Sequence, residues 1–174
     1  MQTNNRAANL LGALALAVTD EFYLTIRKRG NGGPSEAAAL VEIATWPKET
    51  IDSLSRTLRL SPAGTTRLVD RLVREGLVTR DVGDADRRAR TLSTTEAGRA
   101  RVAVILAARR EALDRALSQL DPEDQSALEL VLERMLAAMT PDRETCDHTC
   151  RLCDIDSCPP NVCPVEQAAR DKDR

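Results

Sequence analysis

Cysteine is absent from the first 145 residues of this 174-residue chain, and histidine occurs once, as His148. With one imidazole, sitting among late cysteines, a Ser-His-Asp relay is implausible. No Gly-rich phosphate loop is present, and carboxylates fall mainly on solvated helix faces or near the C-terminus. The sequence is therefore read as that of a non-enzyme. Aromatic residues make up only 2% of the chain while apolar residues reach 42%, so a core must be built from Leu, Val, Ile and Ala. That palette suits interdigitating helices.

Long apolar runs are also missing. The longest, Leu10–Val18, covers nine residues, too few to cross a bilayer. Following Arg6, it mimics the apolar region of a signal peptide. Yet Leu10, Leu14, Val18 and Phe22 continue its spacing through Thr19–Arg29, which fits one amphipathic helix better. We expect a cytoplasmic protein without a membrane partner, where thiols stay reduced and clustered cysteines point to metal or redox chemistry. Neither sign of charge dominates: the net charge is −2. It is segregated, however, with nine Arg against six acids over residues 61–101 and five basic against eight acidic residues over 141–174.

Turn and cap signals divide the chain. A first helix over about 6–29 ends at Gly30-Asn31-Gly32-Gly33-Pro34, and Ser35 is read as the cap of a second (about 36–45) that stops at Trp46-Pro47. A short third helix runs from about Thr50 to Arg59. Ser61-Pro62 starts a fourth, which ends at Gly76, with Leu68, Val69, Leu72 and Val73 as its apolar stripe. Ala63, Arg67, Asp70 and Arg74 then share the opposite face, flanked by Gly64 and Arg71. Leu77–Arg80 and about Arg90–Ser93 form a hairpin with a charged tip. Thr95 caps a long helix (about 96–118). Asp121-Pro122 opens the last, whose Leu128, Val131, Leu132, Met135, Leu136 and Met139 stripe needs a partner, for which a second subunit is a good candidate. After Thr140-Pro141 the composition changes to Cys, Asp and Pro.

Helix, helix, hairpin in this order predicts a winged helix-turn-helix within a mainly helical fold carrying a two-stranded wing. A helix fills the major groove of B-DNA, and a hairpin reaches phosphates or the minor groove beside it. On this reading Arg67 and Arg74 face the groove and Arg71 a phosphate. Ser61 and the amides at the helix start hold a phosphate oxygen, and Arg87, Arg88 and Arg90 belong to the wing.

Leu60-Ser61-Pro62-Ala63-Gly64-Thr65-Thr66-Arg67-Leu68-Val69-Asp70-Arg71-Leu72 resembles the recognition helix of the MarR family of bacterial transcription regulators. Glu75–Arg80 resembles the turn into that family's wing, and Asp86-Arg87-Arg88 with Leu92–Gly98 its wing and exit. The resemblance covers roughly residues 6–140. It implies a homodimer built on the first and last two helices (about 6–29 and 95–140), a reading part at about 35–93, and pseudo-palindromic operators. It also implies repression relieved by a small-molecule effector or by oxidation, with Asp86 orienting Arg88 in the minor groove. Ala63-Gly64 stand where the family often has hydroxyl residues, which leaves more base reading to Thr66 and Arg67.

Residues 141–174 form a cysteine-rich tail beyond the domain of residues 1–140. Cys150-x2-Cys153 is a chelating pair, Cys158 and Cys163 complete four thiolates, and Cys146 and His148 are extra or alternative ligands. Four thiolates suit zinc or an iron–sulfur cluster. The short gaps and Cys163-Pro164 lean slightly toward iron–sulfur. A metal-free thiol sensor is the third option, opposed by Asp147, Asp154 and Asp156, which raise thiol pKa values. We thus expect a dimeric DNA-binding repressor whose cysteine centre senses redox or metal state, acting through dimer geometry because the tail follows the last dimer helix. Alternatives are a ligand-relieved repressor with a structural metal staple, and a winged-helix protein-docking module.

Overall fold

The computed structural model describes residues 5–29, 32–46, 49–82 and 90–173. In chain order the elements are α1 (Asn5–Lys28), α2 (Pro34–Thr45), β1 (Glu49–Thr50), α3 (Ile51–Leu58), α4 (Pro62–Arg74), β2 (Val78–Val82), β3 (Arg90–Thr94), α5 (Glu96–Leu117), α6 (Pro122–Ala138), α7 (Arg143–Cys150) and α8 (Pro164–Lys172). The protein is mainly helical with a small antiparallel sheet, a winged helix-turn-helix. Where two wing strands were expected the sheet has three, in the order β1-β3-β2. The added strand is two residues long, pairing Glu49 with Leu92 and Thr50 with Thr91, and two residues carry no readable alternation.

Most caps follow the sequence. Ser61 Oγ accepts from Gly64 N at 3.1 Å, Thr95 Oγ1 from Gly98 N at 3.0 Å, and Asp121 Oδ1 from Asp124 N at 2.9 Å. Helix α2 differs: Gly33 is its cap residue, without a side-chain bond, and Pro34 opens the first turn. Proline's fixed φ and missing N–H make it a better first helical residue than a residue after Ser35.

The core joins α1, α2, α3, α4, α5 and the sheet through Phe22, Ile26, Leu40, Ile43, Leu54, Leu72, Leu92 and Ile105. Of the stripe expected on α4, Leu68, Val69 and Leu72 are buried but Val73 is exposed. Helix α1 is long and apolar enough to cross a membrane by length and composition. Its second half is nevertheless tied into the core by Phe22 and Ile26 and by the ion pairs Arg115–Glu21 (2.8 Å) and Arg29–Glu111 (2.7 Å). Leu10, Leu11, Leu14 and Leu16 of α1, and Leu130, Val131, Leu132 and Met139 at α6, remain exposed.

The tail is the largest departure from expectation. It has two helices and a small second core. Asp142 Oδ1 accepts from Thr145 N at 2.7 Å to start α7, and Pro164 starts α8. Cys146, Cys163, Val165 and Ala169 pack with Leu136 of α6. The Cys163-Pro164 pair, taken as a cluster-ligand cue, is thereby also an ordinary helix start.

Candidate nucleic-acid interface and cysteine centre

Helix α4 presents Ala63, Arg67, Asp70, Arg71 and Arg74 on its exposed face, with Gly64 and Thr66 half-buried beside them. The face is organised by two ion pairs. Arg80 of β2 bonds Asp70 at 2.6 Å, tying the helix to the wing. Arg71 bonds Glu36 of α2 at 3.0 Å, which draws it toward the body. Glu36 is buried, and burial holds its carboxyl above the usual range although Arg71 opposes the shift. Neither Arg67 nor Arg74 has an ion-pair partner among the described residues, so both guanidiniums are available to phosphate or base. The Thr66 hydroxyl donates to Pro62 O at 2.9 Å, leaving its oxygen lone pairs to accept. Arg87 and Arg88, with Asp86, lie outside the described residues. Arg90 is the first residue of β3, its backbone paired with Val82.

The five cysteines converge. All five thiols are free, and together they line one cavity of about 70 Å³ with Glu42, Trp46, Asp147 and Glu166. Helix α7 supplies Cys146 and Cys150, the following turn Cys153 and Cys158, and the start of α8 Cys163. Among the described residues, no group of three or more His, Cys, Asp and Glu side chains is arranged to hold a metal ion as it stands. The sulfurs instead fall into pairs. Cys150 and Cys153 act as one pair, in which Cys150 keeps its proton and Cys153 is drawn below the usual thiol range by Cys150, with Arg109 and Arg151 helping against burial. Cys158 is pushed up to about 11, by burial first and then by Cys163.

Cys146 stands apart from both pairs. Its thiol lies 3.6 Å from Glu166 Oε2 and 3.7 Å from Arg143 Nη1, inside an Arg143–Glu166 ion pair of 2.6 Å. Burial and then Glu166 push it up to about 12. Burial opposes ionisation of Glu166, but hydrogen bonds from Arg143 and Arg170 bring it below the usual carboxylate range. His148 does not line the cavity; its Nδ1–H donates to Thr57 O of α3 at 2.8 Å.

Of the acids singled out in the sequence, Asp147 lines the cavity and helps to raise the Cys146 thiol, and Asp154 acts against ionisation of Cys153. Asp154 accepts from Arg110 at 2.9 Å and from Ser157 Oγ at 2.9 Å, making a turn. Glu42 and Glu166 line the cavity beside Asp147, and Arg109 and Arg151 act on Cys153 from α5 and the end of α7; of these, Glu42 and Arg109 are distant in sequence from the cysteines. Glu42 is buried, pushed up to about 8 by burial, with Glu49, Asp147 and Cys153 adding to the shift. Its only sequence signal was a charged residue inside the apolar stretch Ala37–Ile43.

Reading helix, wing and supporting helices define the protein class as a winged helix-turn-helix. Residues 34–89 match the MarR family. Solved structures agree over a longer span. YusO from Bacillus subtilis is 22% identical, with a TM-score of 0.64 over 77% of this chain and 97% of its own. The transcriptional regulator Tm0710 from Thermotoga maritima is 25% identical, with a TM-score of 0.60 over 78% and 95%. CouR from Rhodococcus jostii RHA1, bound to p-coumaroyl-CoA, is 21% identical, with a TM-score of 0.60 over 78% and 95%. No curated protein matches the sequence significantly. Beyond residues 34–89 the likeness to these regulators is one of fold.

Proposed function

We propose that the protein is a cytoplasmic, homodimeric transcriptional repressor that reads a pseudo-palindromic DNA operator with α4. The observation that carries this reading is the exposed arginine face of α4, with Arg67 and Arg74 without an ion-pair partner among the described residues, on a helix whose other face is locked into the core. Ser61 and the first amides of α4 contact a phosphate, and Arg87, Arg88 and Arg90 extend the contact along the wing. The exposed leucines of α1 and the apolar side of α6 supply the dimer face, because apolar surface of that extent favours burial. Selection of duplexes from a random library tests the reading: two-fold-related half-sites about one helical turn apart are expected, and failure to enrich any duplex would count against it.

We further read the cysteine cavity as a metal centre held by Cys150, Cys153, Cys158 and Cys163, with either a zinc ion or an iron–sulfur cluster. Two proximate thiol pairs lining one cavity fit a four-thiolate donor set. Glu166 stays ionised beside them, and a bound cation would favour loss of the protons that burial helps Glu42 and Asp147 to keep. Cys146 already has Glu166 and Arg143 as partners and is left outside the set. Trp46, the only tryptophan, lines the same cavity and reports on it. Protein purified without oxygen is expected to contain about one zinc per chain, or iron with sulfide. Chelation should then shift or brighten Trp46 emission; unchanged emission with no bound metal would remove the centre.

A second reading has its own observation. A cleft of about 290 Å³ lies between α1, α5 and the tail, lined by Val18, Phe22, Tyr23, Leu113, Arg109 and Arg151. Two guanidiniums over an apolar floor suit an aromatic or acyl anion of the kind that CouR holds. On that reading the metal is a staple, and a Cys150→Ser, Cys153→Ser variant still binds the operator and releases it to such a ligand.

A further inference from the structure

The tail reaches the DNA-reading head directly. Helix α7 packs along α3, the helix that precedes and supports α4. The contact is specific at its end: His148 donates to the carbonyl of Thr57, in the last turn of α3. A helix leaves its last four carbonyls without partners inside the helix. Here the carbonyls of Ser55 and Arg56 are met by the amides of Leu60 and Arg59 in the turn between α3 and α4. Thr57 O is met by the tail.

That turn is tight. Arg59 adopts φ 52°, in the left-handed region that a residue with a Cβ disfavours. The joint of the helix-turn-helix therefore depends on supports around it, and one of them comes from two residues before Cys150. The Arg151 guanidinium donates to His148 O, fixing the end of α7 from the other side. Leu152 packs on the main core and Arg110 bonds Asp154, so the cysteine turn is anchored to α5 as well.

Resting on the metal-centre reading above, we propose that occupancy of the cysteine centre controls operator affinity through α7 and His148, by setting the support at the α3–α4 joint. Among the described residues no group of three or more ligating side chains is arranged to hold a metal as it stands, so binding one requires the cysteines to move. Cys150 is the last residue of α7, so that movement pulls on the helix that carries His148. The route runs within one subunit from the centre to the reading head, and it does not need a change in the spacing of the two subunits.

The experiment compares wild type with His148→Ala, each metal-loaded and metal-stripped under reducing conditions, on a duplex selected by the wild-type protein. Metal content is measured on both. Wild type is expected to differ by about tenfold or more in affinity between the two states, a size common for coupled sites. His148→Ala is expected to bind the same amount of metal while that difference falls to within about twofold. Full retention of the difference in metal-binding His148→Ala overturns the route and leaves the centre intact. Absence of metal from wild type overturns the centre itself, and the route with it. Amide exchange on wild type supplies an independent arm if the variant fails to fold: residues 57–62 should change protection between the two states, and identical protection there contradicts the proposal.

Discussion

Operator affinity is expected to fall by about tenfold to a hundredfold when Arg67 is replaced by alanine, with folding stability unchanged. Arg67 is exposed on α4 and makes no ion pair among the described residues, so its removal leaves no buried group without a partner. What it loses is a guanidinium aimed outward from the middle of the reading face, where a bidentate contact to a base edge contributes about 1–3 kcal/mol of discrimination. The loss should be greatest for the selected sequence and small for unrelated DNA. Arg71→Ala is a useful contrast. Its partner Glu36 is buried, so part of its effect should appear as lost stability, which Arg67→Ala does not share. Equal loss of affinity for all duplexes in Arg67→Ala would move Arg67 from base reading to phosphate contact.

Gly98→Ala is expected to be among the most damaging single-methyl changes, lowering the unfolding free energy by about 2–4 kcal/mol. Gly98 lies in the first turn of α5, where the chain leaves the wing. A Cβ there would stand 2.1 Å from Leu77 O and 3.3 Å from Thr94 Cβ. The obstacle is backbone, which cannot rotate away as a side chain end can. The Leu77 carbonyl is also engaged, accepting from Thr95 N at 3.0 Å, while Thr95 Oγ1 donates to Gly76 O at 2.7 Å. Relief of the clash therefore means moving α5 away from the base of the wing. Urea unfolding of Gly98→Ala beside wild type measures the cost; a difference under about 0.5 kcal/mol would show that the junction yields easily.

The reading head was legible in sequence because its signals are local. Ser61-Pro62, Thr95 and Asp121-Pro122 each place a helix start by cap chemistry, and the apolar spacing of Leu68, Val69 and Leu72 fixes which side of α4 faces inward. The arginine face follows by subtraction. Strand β1 escaped because a two-residue strand exists only through its pairing with Leu92 and Thr91. Pairings across some forty residues leave no periodicity behind.

The tail was legible in chemistry but not in shape. Cysteine spacing pointed to one site, and the five thiols do line one cavity. Its helices were missed because Val165 and Ala169 are too few to make a visible stripe, and their burial depends on Leu136 of α6. The partners that set its electrostatics, Glu42 on α2 and Arg109 on α5, come from across the fold. Above all, spacing alone could not show where the module docks. Chain order suggested the dimer helices as the line of communication, whereas the His148–Thr57 bond joins the tail to the helix beneath the reading head.

DNA binding through the α4 arginine face is tested most directly by measuring affinity for a selected duplex as salt is raised from about 50 to 200 mM. Phosphate neutralisation by several arginines predicts a log-linear loss on the order of a hundredfold to a thousandfold, with a slope near −0.9 per phosphate contact. Affinity that is weak throughout, or insensitive to salt, would contradict the account and favour a winged helix that docks on protein.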